Sequence, residues 1–206
     1  MKTAKSSLIA FAIAFLVGCS PNGSAVQLVE MYRPGDVVIQ GGFETDPRDH
    51  GRPVRLIAAA LEVPEDVFRD AFAGVSPSTF GPPTSSRARA NKEALMKVLA
   101  PHGITNERLD DVSDRYRYRP QDGERWAHQP ATISAIIRDA KVVGFDIIDP
   151  GFGYSSPPQI SVFGFEDLKV EVTLSYGPDF VENGCISEVR IVDESDTDGG
   201  SVLASS

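Results

Sequence analysis

The chain has 206 residues, with 20 Lys and Arg against 29 Asp and Glu, for a formal net charge of −9. That balance excludes nucleic acid as an expected partner, because phosphate recognition requires a basic footprint. No Gly-x-Ser-x-Gly, no His-Glu-x-x-His and no Cys–His pair occurs, the three histidines stand at no metal-ligand spacing, and no cofactor is expected.

Lys2 and Lys5 give a small positive start, and Leu8 to Val17 is apolar without a break. That is the length of a signal-peptide core, well short of the roughly 20 residues of a membrane-spanning helix. The four residues Leu16-Val17-Gly18-Cys19 resemble the lipobox of bacterial lipoproteins. The resemblance implies cleavage before Cys19, a diacylglycerol thioether on its sulfur and acylation of its new amine. An ordinary secretory signal that happens to contain a cysteine is the alternative. Residues 1–18 then form a signal peptide, and 19–52 form a lipid-anchored tether and irregular lead-in. The implied location is the cell envelope, on the non-cytoplasmic side. Because Ser20 stands where many inner-membrane lipoproteins carry aspartate, the outer membrane is preferred over the inner. Loss of two lysines with the signal moves the net charge from −9 to −11. Cys185 would then be the remaining thiol, with no partner for an internal disulfide, so the fold must be held by its core.

In the lead-in, "DVVIQGG" (36–42) predicts one short strand, and "GGFETDPRDHGRP" (41–53) is rich in turn residues. Residues 53–120 read as helical. Leu56, Ile57, Ala60 and Leu61 recur at helical spacing, and Pro64 opens a second helix with Glu65 and Asp66 in its first turn. Ser85 or Ser86 is expected to cap a third helix that ends before Gly103. Thr105 is expected to cap a fourth, with Ile104 and Leu109 as a hydrophobic staple. The pattern suggests two helical hairpins packed together. "LIAAALEVPEDVFRDAF" (56–72) has the outline of a DNA-reading helix pair, but Glu65, Asp66 and Asp70 would repel phosphate.

From residue 121 to 193 the periodicity becomes two. "TISAIIRD", "KVVGFDII", "PQISVFG", "LKVEVTLSY" and "CISEVRIVD" read as strands. Their connections are too short for helical crossovers, so an antiparallel sheet is expected. Asn183-Gly184 reads as a turn before the last strand. Residues 194–206 are small and polar and read as a disordered tail. Their acids fit only the first half of a calcium loop.

"PGFGYSSPPQISVFG" (150–164) resembles the Gly-x-Gly-Tyr-x-Ser-x-Pro β-module of bacterial surface proteins, over roughly residues 141–192. The resemblance implies a structural or adhesive unit without chemistry. In it Gly151 and Gly153 supply positive backbone angles and Tyr154 covers the turn. A phosphate-binding glycine loop fails as an alternative, since neither lysine nor helix start follows. The stretches "NKEALMKVLAPHGITNERLDDVSDRYRYR" and "EDVFRDAFAGVSP" resemble exported proteins of planctomycete-type bacteria, a resemblance that implies no activity.

Arg115, Tyr116, Arg117, Tyr118, Arg119 and Trp126 interleave cations with aromatics. They are a candidate binding patch for sugars or anionic polymer, or residues that seal a helix against a sheet. Glu44, Asp46 and Asp49 could share a cation or simply form a turn. The expected architecture is α+β, with N-terminal helical hairpins packed with a small C-terminal antiparallel β-sheet. The expected function is a non-enzymatic envelope binding or assembly lipoprotein with an envelope protein or polysaccharide as partner. The alternative is an exported hydrolase with an unrecognised site, which would need His50, Asp46 and Asp49, or a similar set, to converge in a cleft.

Overall fold

The computed structural model describes residues 32–76, 83–118 and 123–192. The expected signal peptide 1–18, Cys19 with its expected tether, Arg119, and the tail 194–206 lie outside the described residues.

The architecture is α+β, with its helices N-terminal and most of its strands C-terminal. After strand β1 (Val37–Gln40) come four helices, α1 (Val54–Ala60), α2 (Glu65–Ala73), α3 (Ser85–Leu99) and α4 (Asn106–Arg115). Strands β2 (Thr132–Arg138), β3 (Lys141–Asp149), β4 (Gln159–Val162), β5 (Val170–Ser175) and β6 (Cys185–Ile191) follow.

Local chemistry sets the helix ends. α1 closes with Glu62 in the left-handed region at φ 54°, and the Glu62 and Val63 amides donate back to the Ala59 and Ala58 carbonyls, both at 3.0 Å. That is a Schellman motif made without glycine. Pro64 then stands just before α2 as its N-cap, with an extended backbone (ψ 148°) and no side-chain cap. α4 is capped by the Thr105 hydroxyl, which accepts from the Arg108 amide at 3.2 Å. α3 is capped one residue earlier than expected: the Thr84 hydroxyl accepts from the Arg87 amide at 3.4 Å. Thr84 keeps an extended backbone (ψ 156°), whereas Ser85 and Ser86 are already helical.

The strands form three two-stranded antiparallel ladders, β1–β4, β2–β3 and β5–β6. The β2–β3 hairpin turns through Asp139 and Ala140, both at positive φ, the geometry that matches strand twist. β1 pairs with β4 from Val37↔Val162 to Gln40↔Gln159. A strand from the lead-in thus completes a ladder with the far side of the helical region, and the helices are an insertion between two paired strands.

Residues from Tyr32 onward form one compact unit with two apolar cores. The first gathers Leu56, Leu61, Phe68, Leu99, Leu109, Val112, Tyr116 and Trp126 around the helices, and Tyr176 and Phe180 of the β part pack against it. The second holds Ile133, Tyr154, Ile160, Val172 and Ile186. Phe43 packs against both, and its ring stands 5.4 Å from that of Tyr154 and 6.3 Å from that of Trp126.

Candidate functional site

The turn-rich segment between β1 and α1 builds a highly charged concavity. The Asp46 carboxylate caps a short 3-10 turn, Pro47–Asp49, accepting from the Arg48 amide at 2.9 Å and from its guanidinium at 2.6 Å. These bonds hold Asp46 well below the usual carboxylate range. Asp49 is buried and accepts a two-pronged pair from Arg69, at 2.8 and 2.9 Å. Arg69 also donates to Glu65 at 2.9 Å, and Arg55 donates to Glu65 at 3.0 Å. The result is a file of alternating charge, Asp49–Arg69–Glu65–Arg55, running from the turn onto α2 and α1. The hydrogen bond it donates to Asp49 is the main reason the Arg69 guanidinium is pushed above its ordinary range.

These groups line a cleft of about 310 Å³ together with Glu44, Ser155 and Ser156. The Ser156 hydroxyl donates to the Glu44 carboxylate and is the main cause that holds Glu44 below its ordinary value. Carboxylates lowered in this way are weak bases, and each already has a cation or donor opposite it. His50 does not line this cleft. It borders a neighbouring groove of about 560 Å³ walled by Val54, Phe72 and Val75, to which Asp49 and Arg69 also contribute. Asp46, Asp49 and His50 therefore do not meet in one concavity. Nor do Glu44, Asp46 and Asp49 converge on one point, since each has its own partner. Among the described residues, no group of three or more His, Cys, Asp or Glu could hold a metal ion.

The Arg–Tyr stretch divides. Tyr116 is buried, and burial raises its phenol above the ordinary value. Trp126 is buried, and its indole N–H donates to the Gly153 carbonyl at 2.7 Å. Tyr116 nevertheless borders, with Tyr118, Phe68 and Phe72, a small cavity of about 160 Å³. The Tyr118 ring lies against Gly51 and 6.1 Å from the Trp126 ring. Arg115 stacks over Phe152 at 4.9 Å and Phe180 at 5.6 Å, and its Nε is buried without a hydrogen-bond partner. Arg117 is exposed and pairs with Asp114. Arg115 and Arg117 share a shallow concavity of about 720 Å³ with Asp114, Glu124, Arg125 and Ala127. Arg125, which sequence reasoning did not single out, lies over the Phe43 ring at 4.2 Å.

In the Gly-Tyr stretch, Gly151 and Gly153 have φ of 61° and 83°. A Cβ at Gly151 would stand 2.5 Å from the Gln129 carbonyl oxygen, so the segment 126–131 leaves no room for a side chain there. Tyr154 is buried, lies over Gly42, and its hydroxyl accepts from the Ala131 amide at 2.9 Å.

Sequence reasoning placed Asn183 in a turn but missed what its side chain holds together. It has no exposed surface, and its amide donates to the Leu56 carbonyl and to the Tyr116 hydroxyl, both at 2.8 Å. Its backbone carbonyl accepts from Gly153 at 2.9 Å. One residue thus ties α1, the end of α4 and the Gly-Tyr turn together, the first two through its side chain and the third through its backbone. Cys185 is half-buried, and burial pushes its thiol up, away from the thiolate a nucleophile would need. No protein-family model, curated protein or solved structure matches the chain.

Proposed function

We propose that the protein is an exported bacterial lipoprotein, held by acyl chains on Cys19 at the non-cytoplasmic side of the cell envelope, where it acts by binding or assembly rather than by catalysis. The observation that carries this reading is the unbroken apolar run Leu8 to Val17 closing on Gly18-Cys19. Two or three acyl chains, at about 0.8 kcal/mol per buried methylene, would make attachment stable where one chain would not. Ser20 favours the outer membrane as the destination. Among the described residues, no helix is long and apolar enough to cross a membrane.

The concavity bearing Arg115, Arg117 and Arg125 is the face we assign to an anionic envelope polysaccharide or an acidic envelope protein, because its guanidinium groups outnumber the carboxylates of Asp114 and Glu124 on a chain that is acidic overall. The Ser156–Glu44 pair in the cleft does not favour a hydrolase, because a carboxylate whose proton affinity is lowered is a poor base for the serine. Intact mass of the protein extracted from membranes tests the anchor. The expected species begins at Cys19 and carries acyl chains, and Cys19→Ser should leave the membrane fraction. An unprocessed, soluble chain would overturn the reading.

A further inference from the structure

Three large apolar side chains are exposed together where the compact unit begins. Tyr32 is 47% exposed, Phe163 46% and Ile137 41%. The Tyr32 and Phe163 rings stack with centroids 6.3 Å apart. The Phe163 carbonyl accepts from the Gly35 amide at 2.8 Å, and Ile137 Cδ1 stands 2.8 Å from where a Cβ on Gly35 would sit. Gly35 therefore holds the three together, joining the start of β1, the end of β4 and the tip of the β2–β3 hairpin. The charges around them are mixed: Arg33, Arg138 and Lys141 are exposed beside Asp36, Asp139 and Glu166.

We propose that this rim is the membrane-facing side of the protein and rests in the interfacial layer of the bilayer that holds its anchor. The inference rests on the proposed acylation of Cys19. Its own argument is geometric. The chain from Cys19 to Tyr32 can span no more than about 45 Å when fully extended, and it joins the compact unit at Tyr32, one of the rim residues. A protein tethered at that point presents that point first to the bilayer. A tyrosine and a phenylalanine beside long cationic side chains are the residue types that settle at headgroup level. The balanced charges give no strong attraction to anionic lipid, so the contact is an apolar one.

The lipidated full chain carrying Phe163→Trp, reconstituted in vesicles of phosphatidylcholine brominated along its acyl chains, tests this. The protein should float with the vesicles, and the introduced indole should be quenched, since indoles settle where headgroups meet acyl chains. The native Trp126, buried in the unsubstituted protein, should not. Val181→Trp, an exposed position on the connection that meets α4, should also stay bright. Flotation without quenching at position 163 overturns the proposed face and leaves the anchor intact. A second copy of the chain covering the rim would produce that result, with a concentration-dependent rise in mass. Failure to float, with no acyl mass on Cys19, removes the anchor and the proposed face together.

Discussion

Asn183 is a primary amide with no contact with solvent, so its donors and acceptor must be satisfied inside the protein. Its two donors meet a helix carbonyl and a phenol, and its oxygen accepts from the Gly177 amide at 3.4 Å. Asn183→Ala removes all of these at once and leaves the Tyr116 hydroxyl buried without its partner. We expect a loss of about 3 kcal/mol, measured by urea unfolding, against about 1 kcal/mol for Tyr116→Phe, which deletes a single bond. The sequence marks Asn183-Gly184 as a turn because both residues favour special backbone angles. It carries no trace of the partner at Leu56, 127 residues away, since a periodicity reports burial and not the identity of what is touched. Glu44 has a different kind of partner. Its carboxyl lies below its ordinary value of 4.5, chiefly through Ser156. The unfolded chain therefore binds this proton first as pH falls, and the stabilisation is complete above 4.5 and lost as pH drops through the lowered value. Ser156→Ala should move the Glu44 titration, followed by carboxyl NMR, back up toward 4.5 and flatten the pH dependence of stability on the acid side. An unshifted titration would show that the backbone donors, not the hydroxyl, govern this carboxyl.

The elements themselves were legible to differing degrees. The helices follow from the recurrence of Leu56, Leu61, Phe68, Leu109 and Val112 on buried faces, and Thr105 is a cap in sequence and structure alike. All five C-terminal strands lie where alternation placed them. Which strands pair was not legible: β1 joins β4 across the whole helical region, and nothing local in "VVIQ" encodes a partner so distant. The candidate patch was legible as composition only, because α4 ends at Arg115 and no helical period beyond it tells that Tyr116 is buried and Arg117 exposed. The end of α1 gives a sharper test. A non-glycine residue at φ 54° carries a steric cost that Gly does not have, and Glu62 is exposed. Glu62→Gly should therefore raise stability by about 0.5 kcal/mol once the extra freedom of glycine in the unfolded chain is subtracted. The opposite sign in a thermal or urea melt would mean that the glutamate side chain contributes more than its backbone costs.

At the scale of the whole molecule, the question is whether the helical and β parts unfold as one. The helical core is incomplete without the β part, because Tyr176 and Phe180 pack against it, and Arg108 of α4 donates to the Ala60 and Pro178 carbonyls, each at 2.6 Å. The β part is in turn incomplete without the helices, because the Gly153–Gly184 crossing is braced by Trp126 and by the Asn183 bonds to α1 and α4. Separating the two would leave several buried polar groups unpaired, each costing about 1–3 kcal/mol, and would expose apolar surface on both sides. An intermediate with one part folded is therefore disfavoured. The single tryptophan reports the junction, since its ring belongs to the helical core while its N–H bonds the Gly-Tyr turn. Far-ultraviolet circular dichroism reports mainly the helices. The two denaturant curves should superimpose with one midpoint, the mark of an all-or-none transition. If the tryptophan signal changes at a lower denaturant concentration than the helical signal, the junction opens first and the helices hold themselves together. In that case the hydrogen bonds of Asn183 orient the two parts without coupling their stability, and Asn183→Ala should leave the helical midpoint unmoved.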